Sequence, residues 1–127
     1  MQIQSRAKNK PFVTKDGSEI RLILDPHNSS VQKQSLAEAT LLPGQKTTPH
    51  FHEITEEIYF ILDGEAQMGL KENDKWVYKD LLPEESVLIP PKTPHTIENT
   101  GSIPLRILCC CAPAYSDQDT VMLEDKS

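Results

Sequence analysis

The chain has 127 residues, a formal net charge of −6 and an isoelectric point near 5.1. This length is typical of one domain that buries a real core, and the acidic balance argues against nucleic acid or an anionic membrane surface as a partner. No apolar run approaches the ~20 residues of a membrane span, and residues 1–10 contain no apolar export segment. The three cysteines are consecutive, at 109–111, which excludes a disulfide framework and indicates a reducing, cytoplasmic location.

Short β-rich runs follow one another along the chain, separated by turn residues. In chain order the runs are 19–24, 35–42, 57–62, 65–70, 76–78, 87–89, 95–99 and 105–111. Turn signals stand at Pro43-Gly44, Asn73-Asp74 and Gly101-Ser102. Asp63-Gly64 predicts a tight hairpin turn between the third and fourth runs. Many short strands without a helical period, and without an internal repeat, predict a sandwich or barrel.

Three of the four histidines, together with one carboxylate, have the spacing of a metal site. His50 and His52 are one residue apart, so they point the same way on a β-strand but would diverge by about 200° on a helix. Glu57 follows, and His95 lies on a distant run. Imidazole and carboxylate suit first-row divalent metals. His27 lies among turn residues without a partner at ligand spacing and is not expected to bind the ion.

This constellation resembles the first motif of the cupin superfamily. That motif runs glycine, five residues, His-x-His, three or four residues, glutamate, six residues, glycine. The matching positions here are Gly44, His50, His52, Glu57 and Gly64. Glu56 would satisfy the shorter spacing but would leave seven residues before Gly64. The resemblance therefore implies that Glu57 is the carboxylate ligand of one divalent ion, beside His50, His52 and His95.

The second cupin motif matches less completely. Pro90, His95 and Asn99 are in place, but Glu84 and Lys92 replace its two glycines. Because a non-glycine residue at positive φ is uncommon, the turn at Lys92 is expected to be either strained or differently built. Fe, Mn, Ni, Zn and Cu all remain candidate metals, since affinity alone does not select among them.

The resemblance covers about 36–112, and the segment 109–115 with Asp119-Thr120 also resembles small single-domain bacterial cupins. It implies an all-β fold, the double-stranded β-helix or jelly-roll barrel. We divide the chain into an N-terminal segment, 1–34, a cupin barrel, 35–112, and a C-terminal tail, 113–127. Such cupins commonly dimerise. We therefore expect a homodimer in which the N-terminal segment contacts the partner's sheet; in the alternative, that segment closes on its own barrel in a monomer.

Strand alternation predicts which side chains line the barrel. Tyr59 and Ile61 should share the face of Glu57, and Ile97 and Asn99 that of His95. If Arg106 marks the outer face, the inward residues of the last strand are Leu105, Ile107, Cys109 and Cys111. Tyr59 is either a core tyrosine with a satisfied hydroxyl or a catalytic proton donor near the metal. Cys109 and Cys111 are expected to be small buried hydrophobes rather than thiolate ligands.

The resemblance implies a metal-dependent enzyme on a small-molecule substrate, since three imidazoles and a carboxylate leave open positions on the ion. A dioxygenase, an isomerase or a lyase acting on a compact polar substrate is the preferred interpretation. The alternative is a metal-dependent binding or sensor module without turnover. Sugar-phosphate isomerisation is disfavoured because none of the few arginines falls in a motif. Arg21 is the strand arginine that could reach a ligand carboxylate; otherwise it is a solvated edge-strand charge.

Overall fold

The computed structural model describes residues 1–123; of the predicted C-terminal tail, 124–127 lie outside the described part. A short 3-10 helix, Arg6–Lys8, precedes the strands. The strands are β1 Phe12–Val13, β2 Glu19–Leu24, β3 Ser35–Leu41, β4 His50–His52, β5 Glu56–Asp63, β6 Ala66–Glu72, β7 Lys75–Leu81, β8 Ser86–Ile89, β9 His95–Asn99, β10 Leu105–Ala112 and β11 Thr120–Met122. Within residues 1–123, no helix is long and apolar enough to cross a membrane.

Two antiparallel sheets enclose the core. One has the strand order β1-β2-β3-β10-β5-β8 and the other β11-β4-β9-β6-β7. Their inner faces share one hydrophobic cluster, to which the first sheet contributes Leu41, Ile61 and Ile107 and the second Met68 and Ile97. This arrangement is a jelly-roll barrel, and it confirms the predicted fold.

Alternation along the strands is confirmed at the positions that matter for the site. On β5, Tyr59 and Ile61 are 5% and 0% exposed, whereas Ile58 is 46% exposed. On β10 the buried positions are Leu105, Ile107, Cys109 and Cys111. Arg106 lies on the outer face, where it pairs with Glu38 and Asp63. On β5 and β10 the period of two is therefore sufficient to assign the barrel lining once the orientation of one residue is known.

The predicted hairpin at Asp63-Gly64 is wrong. β5 pairs with β8 and β10, whereas β6 pairs with β7 and β9 of the other sheet. The chain thus turns a corner between sheets at Gly64, which has φ +91°, and an added Cβ there would lie 3.0 Å from Leu105 Cα. The hairpin forms instead at Asn73-Asp74, between β6 and β7, with φ of 49° and 68°. An aspartate–glycine pair between two strands is a local signal and does not specify which strand will be the partner.

The two replaced glycines of the second motif keep left-handed backbone. Glu84 has φ 71° and Lys92 has φ 62°. The backbone N–H of Glu84 donates to the carbonyl oxygen of Ile61 at 2.8 Å, and that of Lys92 to the carbonyl oxygen of His52 at 2.6 Å. Such a conformation costs about 1–3 kcal/mol for a non-glycine residue. Of the two alternatives at Lys92, the strained turn is the one that forms.

Two turns of the barrel are near copies of each other, although no internal repeat was expected. Residues 42–45 read Leu-Pro-Gly-Gln and residues 82–85 read Leu-Pro-Glu-Glu. In each, the N–H of the fourth residue donates to the carbonyl oxygen of the first, at 2.9 and 3.1 Å. The fourth side chain also accepts the N–H of the first residue, at 2.7 and 2.8 Å. The second turn therefore reproduces the first with glutamate at the glycine position.

The N-terminal segment packs against its own barrel. β2 pairs with β3 of the same chain, and Arg6 and Arg106 both contact the buried carboxylate of Glu38, each at 2.6 Å. Burial alone would raise the pKa of Glu38, but the hydrogen bonds from both arginines lower it below its ordinary value. Arg21 donates to the carbonyl oxygens of Arg6 and Asn9. The suggestion that Arg21 reaches a ligand carboxylate is therefore wrong. The homodimer stays a prediction.

Candidate metal centre

Neighbouring strands of the five-stranded sheet bring the three histidines together. His50 on β4 lies opposite His95 on β9 in the register of the antiparallel pair. His52 follows on the same face of β4 because one residue intervenes. Their ligating nitrogens all lie within 4.8 Å of one another, and all three side chains are buried. The sequence prediction that these imidazoles converge on one site is matched by the structure.

Glu57 approaches this cluster from the opposite sheet. Its Oε1 lies 3.3 Å from His52 Nε2 and 3.6 Å from His95 Nε2. The neighbouring Glu56 is exposed on the outer face of β5, as alternation requires. The structure thus places Glu57, and not Glu56, beside the imidazoles.

Two atoms at this point have no hydrogen-bond partner among residues 1–123: Glu57 Oε1 and His95 Nε2, both buried. A buried polar atom without a partner costs about 1–3 kcal/mol, and more for a charged group. A divalent cation would satisfy both atoms at once, because each offers a lone pair toward the same space. The residues present therefore fit a metal ion, which His50, His52, Glu57 and His95 would hold.

The protonation states suit metal binding. Burial alone would raise the pKa of Glu57, but the imidazoles of His52 and His95 outweigh it and lower the pKa to about 2. Burial, with the adjacent His95, lowers the pKa of His50 to about 4. Both groups are therefore deprotonated near pH 7, the form that a metal requires of its ligands.

Each imidazole is oriented by a partner at its other nitrogen. His50 Nδ1 lies 2.8 Å from the carbonyl oxygen of Thr48, and His95 Nδ1 lies 3.0 Å from that of Thr93. These two contacts belong to a Thr-Pro-His tripeptide that occurs twice, at 48–50 and 93–95. This repeated signal was visible in the sequence and was missed. The contacts leave Nε2 of both rings directed at the site.

The third orienting contact comes from the C-terminal segment. Thr120 on β11 places its Oγ1 3.0 Å from His52 Nδ1, and the same hydroxyl donates to the carbonyl oxygen of Ser116 at 2.9 Å. Since that proton is already used, Oγ1 accepts the Nδ1–H of His52. Sequence reasoning noted Thr120 only within the C-terminal resemblance and missed its contact with His52, because nothing in the chain between residues 52 and 120 signals that β11 pairs with β4.

A thiol contacts the carboxylate. Cys111 Sγ donates to Glu57 Oε2 at 3.1 Å, and burial together with the charge of Glu57 raises the pKa of Cys111. The thiol therefore stays protonated and orients Glu57, as a small buried donor rather than a thiolate ligand. Cys111 and Cys109 both line the cavity next to the site.

That cavity has a volume of about 710 Å³, and its lining includes the turn between β1 and β2 and the C-terminal segment around Ser116. The Tyr59 ring lies in its wall, with its centroid 6.1 Å from that of His95. Burial, with the charge of Glu57, raises the pKa of Tyr59 well above its ordinary value. Among the described residues the Tyr59 hydroxyl has no hydrogen-bond partner. The Asn99 side chain, by contrast, forms hydrogen bonds with the backbone at Leu41, Gly101 and Ile103. Tyr59 is thus a neutral hydroxyl facing the cavity.

A second carboxylate, Asp16, lines the cavity and was not recognised in the sequence. It belongs to the turn between β1 and β2, and its Oδ2 lies 3.8 Å from His50 Nε2. No cupin motif includes this position, and its approach depends on the fold of the N-terminal segment. His27, by contrast, bonds Asp25 with a largely exposed side chain, in line with its predicted exclusion from the metal cluster.

Comparison with known proteins identifies the family to which this architecture belongs. Residues 37–111 match the cupin domain family. The chain belongs to that family. This cupin is 51% identical over 117 residues to the uncharacterized protein MJ1618 of Methanocaldococcus jannaschii, covering 92% of this chain and 90% of that protein.

Solved structures show the same fold in other cupins. The oxalate decarboxylase of Bacillus subtilis superposes with a TM-score of 0.83 at 16% identity, over 97% of this chain. This cupin spans only 32% of the oxalate decarboxylase chain. Streptomyces PAC13, solved with uridine, superposes with a TM-score of 0.74 at 17% identity, over 98% of this chain and 92% of that one. At these identities the likeness shows the fold alone.

Proposed function

We propose that this cupin is a metal-dependent enzyme that acts on a small molecule held in its cavity. His50, His52, Glu57 and His95 hold one divalent ion, which is Fe, Mn, Ni, Zn or Cu. The observation that carries the proposal is the pair of buried atoms without partners, Glu57 Oε1 and His95 Nε2, which face each other between the imidazoles. A purely structural cluster would satisfy such atoms with hydrogen bonds inside the protein.

The chemistry is that of a cation with open positions. When bound, the ion supplies a Lewis acid to an oxygen of the small molecule, or an oxygen-activating centre if it is iron. The protein supplies the rest. Cys111 and Thr120 hold Glu57 and His52 in place. Contacts of this kind, behind the ligands, tune both the orientation and the basicity of the ligands.

Tyr59 is the candidate catalytic residue. Its raised pKa keeps the hydroxyl protonated near neutral pH, so it can donate a proton or a hydrogen bond to a ligand oxygen. Its position beside His95 puts it within the same cavity as the metal ligands. We therefore assign Tyr59 the role of proton donor on the basis of its position in the cavity beside His95.

The reaction class is a dioxygenase, isomerase or lyase acting on a compact polar substrate. The fold is shared with an oxalate decarboxylase and with PAC13, which was solved with uridine. A shared fold alone does not determine which reaction a protein catalyses. The second candidate is a binding or sensor module without turnover, which the same cavity and cluster would also serve.

Metal analysis and turnover assays separate these possibilities. Protein purified without added metal is expected to contain one divalent ion per chain. Substrate-dependent oxygen uptake by an iron-containing protein supports a dioxygenase, and product formation without oxygen uptake supports an isomerase or lyase. In either case Tyr59→Phe should lower kcat while metal content stays unchanged. Tight ligand binding with no product in any assay would contradict the enzyme and favour the sensor.

We also propose that the chain works as a cytoplasmic homodimer. β1 is the outermost strand of the six-stranded sheet, and its residues Phe12 and Val13 are 47% and 70% exposed. An exposed edge strand with apolar side chains favours pairing with another chain. A two-fold contact of this edge would place the N-terminal segment in the interface.

A further inference from the structure

The turn between β1 and β2 is built to hold Asp16 at the cavity. The N–H of Gly17 donates to the carbonyl oxygen of Thr14 at 3.0 Å, and the N–H of Thr14 to that of Ser18 at 3.1 Å. The N–H of Thr48, two residues before His50, donates to the carbonyl oxygen of Asp16 at 2.9 Å. The turn is therefore tied directly to the segment that carries the first metal-site histidine.

The two oxygens of Asp16 have different surroundings. Oδ1 accepts hydrogen bonds from Thr14 Oγ1 at 2.8 Å, the Ser18 N–H at 2.9 Å and Ser18 Oγ at 2.6 Å. Oδ2 accepts none from the described residues, and it lies 3.8 Å from His50 Nε2. The side chain is only 15% exposed. One oxygen thus fixes the group, and the other is left as an acceptor directed at the site.

No lysine or arginine among residues 1–123 lines this cavity, whereas Asp16, Glu57 and Asp117 do. Asp25 and His27 also line it, and they bond each other. Arg6 and Arg106 are paired with Glu38, and Lys15, next to Asp16, donates to the carbonyl oxygens of Asp117 and Thr120. A divalent ion with Glu57 carries a formal charge of +1, and Asp16 cancels it. A site with no net positive charge gives a dianion little to bind.

We propose that Asp16 is a ligand-binding residue. Its Oδ2 accepts a hydrogen bond from a hydroxyl or ammonium group of the small molecule held beside His50. The cavity accordingly takes an uncharged or cationic compound that carries hydroxyl or amine donors, in preference to dicarboxylates and phosphates. This inference rests on the metal site of the proposed function, and it adds the substrate class.

The test compares Asp16→Asn with a control that removes the same charge elsewhere. Asparagine keeps an oxygen that can accept the three bonds at Oδ1, so the turn is retained. The control, Asp80→Asn, changes an exposed residue of β7 outside the cavity. Manganese affinity is measured first. Asp80→Asn should match the wild type, and Asp16→Asn should lose no more than a few-fold, because the change removes a nearby charge but no metal ligand. A loss in Asp16→Asn as large as that in Glu57→Gln would overturn the proposal, since Asp16 would then be a metal ligand.

Two probes with the same ring then report the charge preference by calorimetry on the manganese-loaded proteins. Catechol is an uncharged diol, and phthalate carries two carboxylates in the same positions. Asp16→Asn should weaken the binding of catechol by about tenfold or more, which is the value of one hydrogen bond to a charged group. The same change should tighten the binding of phthalate. Asp80→Asn should match the wild type with both probes.

The outcomes distinguish a failure of the Asp16 proposal from a failure of the proposed metal site. Wild-type protein that binds no manganese defeats the proposed metal site itself. Manganese binding with no measurable affinity for catechol, or with a ratio of the two Kd values that stays within twofold in Asp16→Asn, overturns the role of Asp16 and leaves the metal site standing.

Discussion

Replacing Thr120 with valine tests how the C-terminal segment supports the metal site. Valine has nearly the volume of threonine but no hydroxyl. The change removes the partner of His52 Nδ1 at 3.0 Å. It also removes one of two donors to the carbonyl oxygen of Ser116, which keeps only the N–H of Asp119 at 3.3 Å. His52 is then free to rotate or to carry its proton on Nε2, the nitrogen directed toward Glu57.

The expected loss follows from the position of Thr120. Removing the hydrogen-bond acceptor that orients a metal-binding histidine lowers metal affinity about 10–100-fold, which corresponds to about 1.4–2.7 kcal/mol of binding free energy. Because Thr120 is 7% exposed, the orphaned N–H of His52 gains little from water. The free energy of unfolding of the metal-free protein should therefore fall by about 1–3 kcal/mol as well.

Competition against a chelator, followed by manganese electron paramagnetic resonance, measures the affinity. Thr120→Ser is the matched control, because serine keeps the hydroxyl that accepts from His52 and donates to Ser116. The serine variant should stay within a few-fold of the wild type. Valine and serine variants with equal affinities would refute the argument that Thr120 orients His52.

The remaining predictions concern the carboxylate, the corner and the assembly. Glu57→Gln should weaken metal binding far more than Glu56→Gln, since Glu56 is exposed on the outer face; equal losses in metal titrations would contradict this assignment. Gly64→Ala should lower thermal stability by about 1–3 kcal/mol, because its φ is +91° and the new Cβ would meet Leu105 Cα at 3.0 Å; an unchanged melting temperature would count against the corner. Light scattering at micromolar concentration should give the mass of two chains, and a monomeric mass would end the homodimer prediction.

Much of the barrel was predictable because its signals are local. Strand alternation assigned the inward faces of β5 and β10, and the spacing of His50 and His52 placed both on one side of β4. The same local signals failed at Asp63-Gly64, where a hairpin and a corner between sheets have the same turn residues. The choice of partner strand depends on burying the inner faces of both sheets at once, and the residues of the turn do not encode that constraint.

The supporting residues of the site were the hardest to foresee. Thr120 and Asp16 lie far along the chain from the histidines that they approach, and neither belongs to a cupin motif. Both arrive through strand pairing or a backbone contact, β11 on β4 and Thr48 on Asp16. The repeated Thr-Pro-His tripeptide is the exception. It repeats the backbone contact that orients a histidine, and the amino-acid sequence alone is sufficient to recognise it.

The metal content of the purified protein is the sharpest test of the metal-centre assignment. Elemental analysis of wild-type chain prepared without added metal should find about one first-row divalent ion per chain. His52→Ala should lose most of it, and its melting temperature should fall toward that of chelator-treated wild type, because a bound ion stabilises only the folded state. Wild-type protein with no such ion, or a His52→Ala variant with undiminished metal content, would contradict the assignment of His50, His52, Glu57 and His95 as one metal centre.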